Sequence, residues 1–334
     1  MTSNCFVRIT TLVFSAGLAL AANSAPTALS GPRLGLIFDR AAANLRSISG
    51  IPGAATTGDP LSLGFLISNA AISPAQDSAL VVKTRPYSVA LVRASGGDWA
   101  AAQLDVPPAP ELMAYSPGGS AAALYYRDGL VRILTGLPQA AVVAGTIDLS
   151  GLPAVTAMAV SDTGGFVLIA VGQAEPVSLF RAAPGSAPSL IGSYRSVSSM
   201  RLFDGGRQAL VADVLANTVY DVADPAGTSV SQVVASAQDG IQGLVAADAD
   251  SSGRRVFAAL SSGTIMIFDR NGGATTAIDC ACTPTGLYRL AGPAAFRLTE
   301  LSSGPLEVLD ANNAPRVVVV PPPAQAAALP EGRR

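Results

Sequence analysis

Six times between Asn69 and the end of the chain the sequence follows the same course: a short apolar stretch, a turn rich in Gly, Asp or Pro, and a second run of small apolar residues. The anchors are NAAISPAQDSALVV from Asn69, LMAYSPGGSAAALYY from Leu112, TAMAVSDTGGFVLIA from Thr156, SSMRLFDGGRQALVA from Ser198, QGLVAADADSSGRRVFAAL from Gln242 and TGLYRLAGPAAFRLTEL from Thr285. Successive starts lie 43, 44, 42, 44 and 43 residues apart. A unit of that length cannot bury its own apolar faces and has to stack on its neighbours. Four short strand patterns per unit, at a period in the forties, point to an all-β ring of four-stranded antiparallel sheets, a β-propeller.

Turn chemistry sets the strand order within a unit. From Leu112, LMAYS reads as a first strand, PGG as a hairpin turn, SAAALYY as a second strand, RDG as a turn and LVRIL as a third strand, with VVAGTIDL as the fourth after GLPQ. An SSG turn recurs at the same phase in LSSGTIMIFDRNGG from Leu260 and LSSGPLEVLDANN from Leu301. Near the N-terminus, ANLRSISGIPGAA from Ala43 aligns with GLVRILTGLPQAA from Gly129, which makes it a third strand and LGLIFDR from Leu34 a second strand. That unit has no first strand of its own. The expectation is seven blades with the first incomplete, the ring closing between the N-terminal strands and the last repeat; six blades is the alternative, with residues 34 to 66 only completing or decorating the ring. Closure removes two unpaired sheet edges.

The N-terminus reads MTSNCFVR, then ITTLVFSAGLALAA, then NSAPTALSG: one positive charge, an uncharged apolar run, and small residues from Ala21 to Ala25. This is the pattern of a secretory signal peptide over residues 1–25, cut between Ala21 and Pro26. The apolar run is shorter than the ~20 residues of a membrane span, which a retained anchor would need. The mature chain is then a single propeller domain over residues 26–320 with a disordered Pro/Ala-rich tail over 321–334. It is expected to be secreted or to reside in the periplasm or cell envelope, with no membrane span after signal removal. A net charge of −2, with only 13% charged residues, leaves no basic stripe for nucleic acid.

NTVYDVADPAGTSVSQVV from Asn217 and GTIMIFDRNGGATTAIDCACTPTGLYRLAG from Gly263, together with SPGGSAAALYY, SDTGGFVLIA and SSGRRVFAAL, resemble the YVTN-type, lactonase-like seven-bladed propellers of exported prokaryotic proteins. The likeness spans about 250 residues and consists of turns and strand patterns. It implies the fold and leaves function open. No complete Y-V-T-N stretch is present, and the Gly-His and Trp-Asp marks of WD40 repeats are absent. Rings of the related kind include lactonase-like enzymes, surface-layer modules and protein-binding scaffolds.

The chain contains no histidine. That excludes Ser-His-Asp and Cys-His catalysis, His-ligated metals and the usual general base near neutral pH. An enzyme on this chain has to work with carboxylates, arginines or a calcium-type oxygen site. Asp248, Asp250 and Ser252 in DADSSG resemble the start of a calcium loop, yet Ala259 stands where the closing acid belongs, and the same phase elsewhere holds plain hairpin turns. No cofactor is expected apart from that weak calcium candidate. Cys280 and Cys282 share one face of an extended chain at the edge of disulfide reach, which leaves a bridge across a bend, two packed thiols, or part of a metal site.

Turns between second and third strands, and connections between blades, should surround one mouth of the channel. They carry Lys83, Arg85, Arg127, Asp128, Glu175, Asp213, Asn217 and Glu300, with Asp105, Glu111, Arg195 and Asp239 from the connections. A mixed-charge rim suits a small polar ligand or a protein partner. The leading reading is an exported, non-enzymatic binding or scaffold module with its ligand on this rim. The alternatives are a lactonase-like or other hydrolytic propeller using carboxylates and arginines, with or without calcium, and a structural protein of the cell envelope.

Overall fold

The computed structural model describes residues 31–301 and 304–323. Among them the chain forms seven antiparallel sheets, each built from consecutive strands; six have four strands and the first has three. The protein is a seven-bladed β-propeller with an incomplete first blade. Among the described residues helix is confined to two single 3-10 turns, Asp204–Gly206 and Ala237–Asp239. The innermost strands of blades 2 to 7 are Ile67–Ile72, Leu112–Tyr115, Val155–Val160, Val197–Phe203, Leu244–Ala249 and Tyr288–Arg289.

The apolar runs have a direct explanation in the ring. A second strand such as Ala121–Tyr125 or Val167–Val171 is buried at every position, because neighbouring blades cover both of its faces, as with the strands of a sheet buried on two sides. Alternate side chains then go to different interfaces. Ala122 and Leu124 pack with Leu80 and Leu91 of blade 2, whereas Ala123 and Tyr125 pack with Val167 and Ile169 of blade 4. Seven apolar clusters result, one at each blade junction. The seventh joins Leu34, Ile37 and Ile48 of blade 1 to Leu290, Leu306 and Val308 of blade 7 and so closes the ring.

Blade 1 consists of Arg33–Asp39, Asn44–Ser49 and Thr56–Pro60. Its middle strand occupies the place of the third strand elsewhere. The exit turn shows the correspondence: Gly50, at φ +112°, and Gly136 of blade 3, at φ +77°, both sit where a Cβ would lie 2.4 Å from a carbonyl oxygen four residues on, that of Ala54 or Ala140. Six blades are therefore ruled out, since residues 33 to 60 form a blade of their own. Among the described residues the strand that blade 1 lacks is the innermost one, and Arg33–Asp39, in the place of a second strand, faces the centre of the ring.

One side chain completes this open edge. In the hairpin turn between first and second strands, blades 3, 4 and 6 place Gly119, Gly164 and Gly253 at positive φ, each donating its N–H to the carbonyl three residues back. Blade 2 has Gln76 there, at φ +61°, a conformation that disfavours a residue with a Cβ. The buried Gln76 amide oxygen accepts the Leu36 N–H at 2.8 Å, and its nitrogen donates to the Arg289 carbonyl at 2.7 Å. Gln76 thus clasps blade 1 to blade 7 from its place in blade 2. Gly35 makes room for it, since a Cβ there would sit 2.7 Å from Leu290 and 2.9 Å from the Gln76 oxygen.

Two outcomes follow for stability. Replacing Gln76 with Ala strands the Leu36 donor and the Arg289 acceptor and should cost about 2 kcal/mol. Gln76→Gly should cost about 1 kcal/mol less than the alanine variant, because glycine accepts positive φ. Denaturant midpoints would check the order wild type, Gly, Ala; a glycine variant as stable as wild type would remove the clasp from the account.

The acid limb is the second. Burial works against the Asp39 carboxylate, but the amides of Ala42 and Ala41 and the Arg46 guanidinium at 2.6 Å outweigh it and hold its pKa below the ordinary value. Asp250 behaves alike: burial is overcome by the Ser252 hydroxyl, Arg255 and the Arg254 amide. A depressed folded-state pKa contributes stability above the unfolded value near ~3.9, lost as pH falls through the folded one. Asp221 runs the other way, because burial outweighs Arg270 and raises it, so its contribution declines as pH rises toward that raised value. With no histidine to titrate, the thermal midpoint should be level from about pH 6 to 8 and should fall below about pH 4. Calorimetry against pH checks both limits.

Candidate functional site

The inner strands enclose a central cavity of about 510 Å³, within the range of small-molecule sites. Its wall is divided by blade. Blades 1 to 4 supply mainly apolar side chains, among them Leu36, Phe38, Ile72, Met113, Met158 and Val160, together with the polar Arg40, Asn69 and Gln76. Blades 5, 6 and 7 supply Arg201, Asp248 and Arg289 from their inner strands, with Arg297 and Glu300 further along blade 7. Leu36 and Phe38 reach the cavity because no described strand of blade 1 lies inside Arg33–Asp39.

Asp248 stands between two arginines. It lies 3.3 Å from Arg201 Nη1 and 3.2 Å from Arg289 Nη2. Arg289 Nη2 also donates to the Ala249 carbonyl, and its guanidinium rests 4.9 Å from the Phe296 ring centroid. The side chains of Arg201, Asp248 and Arg289 are only 17%, 12% and 10% exposed. The Nε of each arginine is buried without an acceptor. Burial, with Arg201 adding to it, lowers the Arg289 pKa against the pull of Asp248. Two guanidinium groups therefore share one carboxylate in a poorly hydrated place, where unpaired charge is costly.

The second ionic group is balanced. Arg297 Nη1 donates to Glu300 at 2.9 Å and to the Thr299 carbonyl at 2.7 Å, and its guanidinium lies 4.1 Å from the Tyr288 ring centroid. Burial works against the Glu300 carboxylate, but Arg297, Tyr288 and the nearby Arg40 bring its pKa below the ordinary value. Four arginines and two carboxylates line the cavity, a surplus of two positive charges in a chain whose net charge is −2.

Most of the rim residues expected from the sequence sit away from this cavity; of the eight, Glu300 lines it. Lys83 lies 4.8 Å from the Phe65 ring centroid, and Arg85 is exposed ahead of Pro86. Arg127 pairs with Glu111 at 2.8 Å, and with Asp128 it borders a separate small surface pocket. Glu175 pairs with Arg195. Asp213 is buried and accepts the amides of Arg195, Ser196 and Ala216. Asn217, at φ +49°, accepts the Leu244 amide at 3.0 Å and ties blade 5 to blade 6. Asp239 closes a capping box with Ser236.

The calcium candidates diverge. Asp248 faces the channel arginines, while Asp250 accepts from the Ser252 hydroxyl at 2.7 Å and from Arg255 at 3.2 Å. Their oxygens are engaged by arginines and turn donors, and no cluster of three acidic or cysteine ligands occurs among the described residues. Cys280 and Cys282 are joined in a disulfide. Arg201 and Arg289 escaped the sequence reading, though a signal was present: each is a charge inside an inner strand, in SSMRLF and TGLYRL, where the inner strands of blades 2, 3 and 4 carry no charged residue.

No protein-family model and no curated protein matches the chain. Solved structures do. A protein of unknown function from Desulfotomaculum acetoxidans superposes with a TM-score of 0.59 at 12% identity, covering 87% of this chain and 100% of its own. A protein from Lactobacillus plantarum gives a TM-score of 0.59 at 13% identity, covering 86% and 96%. The Cps50 (Swd1) β-propeller domain of Myceliophteria thermophila gives 0.55 at 11% identity, covering 77% and 87%. Such identities speak for the fold alone, and a propeller ring supports binding or scaffold roles in general. The seven blades and these likenesses fit a YVTN-type, lactonase-like propeller at the level of fold.

Proposed function

We propose that the chain is an exported, non-enzymatic binding module that holds a small ligand in its central channel. The observation that carries this reading is the roughly 510 Å³ cavity, walled on one side mainly by apolar residues and on the other by the ionic groups of blades 5 to 7. Sites of this kind bury most of a ligand against apolar surface and orient it through a few polar groups. The hydrolytic alternative would draw on Asp248 and Glu300, but both carboxylates are engaged by arginines, a poor arrangement for a general base. Export rests on the signal-like residues 1–25, which lie outside the described residues, and the Cys280–Cys282 bridge suits an oxidising compartment.

The binding reading is tested by thermal melting of the mature protein with a panel of sugars, amino acids, amines and organic acids, beside an Ala114→Trp variant that obstructs the cavity. At least one class should raise the wild-type midpoint by several degrees and leave the variant unmoved. A panel without effect, or shifts identical in the variant, would count against the channel. For export, intact mass of protein from its native envelope should show a new N-terminus between Ala21 and Pro26, and a retained Met1 would refute cleavage.

A further inference from the structure

The channel wall has more cationic than anionic capacity at one defined place. Arg201 and Arg289, from blades 5 and 7, converge on Asp248 of blade 6. Arg201 directs Nη1 alone to that carboxylate, and its Nη2 meets no acceptor among the described residues. Both Nε atoms lack partners as well but have no exposed surface, so the Nη atoms are the donors a ligand can meet. A guanidinium presents its donors as a planar fork that matches the two oxygens of a carboxylate. One aspartate therefore leaves the Arg201 fork partly unfilled, whereas Arg289 also donates Nη2 to the Ala249 carbonyl and Nη1 to the Pro293 carbonyl at 3.5 Å, so the two positive charges share a single carboxylate. The Arg297–Glu300 pair does not relieve it, since Glu300 is already taken up by Arg297.

Across the cavity the wall changes character. Leu36, Phe38, Met113 and Met158 offer methyl, thioether and ring surface. Inorganic anions would gain nothing there, and a neutral apolar molecule would leave the arginines as they are. Resting on the channel-binding reading above, we propose that the ligand is an organic carboxylate with an apolar body, its carboxylate received by Arg201 and Arg289 and its body laid against blades 1 to 4. Asp248 is then the internal competitor for the same donors. It orients the two guanidinium groups while the channel is empty and sets the affinity when the ligand enters.

Isothermal titration of the mature protein with octanoate and phenylacetate, the neutral octanamide and phenylacetamide, and sodium sulfate tests this directly. The carboxylates should bind at least tenfold more tightly than their amides, and sulfate should bind weakly or not at all. Arg201→Met and Arg289→Met should each weaken the carboxylates about tenfold or more while leaving amide binding unchanged. Asp248→Asn keeps an acceptor for the Ala249 amide but removes the competing charge, so carboxylate affinity should rise; a cluster with a purely structural role predicts no such gain. If an arginine variant fails to fold, the asparagine variant and the carboxylate-to-amide ratio of the wild type still decide the matter. Amides that bind as well as carboxylates would overturn the anion assignment and leave the channel reading standing. Sulfate binding as tightly as octanoate would overturn the role of the apolar wall. Absence of carboxylate binding at 10 mM, about a 3 kcal/mol interaction at best, would overturn the proposal, while the broader ligand panel judges the channel separately.

Discussion

Every blade of this ring depends on covering both faces of its sheet. A single four-stranded unit exposes apolar side chains on two sides, and only a neighbour on each side removes them from water. Seven apolar junctions do this, and the seventh, between Leu34, Ile37 and Ile48 and the residues around Leu306, decides whether the other six are held in a closed circle. Blade 1 is the weak member there, because it enters the junction with three strands. Gln76 compensates through two hydrogen bonds, at the expense of an unfavourable backbone conformation in its own turn. Local strain is retained where the surrounding structure specifies it.

The same incompleteness shapes the cavity. Removing the innermost strand of one blade sets the wall back and turns Leu36 and Phe38 toward the centre. On the opposite side the inner strands of blades 5 to 7 carry charge. The channel is thus two-sided in a way that regular repeats would not produce. Departures from the repeat, at Gln76 in one turn and at Arg201, Asp248 and Arg289 in three inner strands, are the positions where this chain differs from a plain scaffold.

How far the sequence could be read depended on the range of the interactions involved. The blade number, the lack of a first strand in blade 1 and the strand order came from turns and apolar runs, which are local signals repeated many times. The rim residues lie in or beside turns, with Lys83 inside the strand Ser78–Thr84 and Asp213 at the end of Gln208–Asp213, but their partners were unreadable: Asp213 spends its oxygens on three backbone amides, and Glu175 is paired with Arg195. A turn residue's role depends on which groups from other blades come within a few ångströms, and the repeat period does not encode that.

The amino-acid sequence by itself determined that the chain forms a propeller with an incomplete first blade and that no histidine chemistry is available. The period of 42 to 44 residues and the absence of one residue type are properties of the chain in one dimension. Tertiary structure alone decided that Arg201, Asp248 and Arg289, separated by more than 40 residues at each step, share one buried site, and that Gln76 reaches Leu36 and Arg289. Closing the ring brings inner strands from different repeats around one axis. Which side chains meet there follows from that curvature and from the strand that blade 1 lacks.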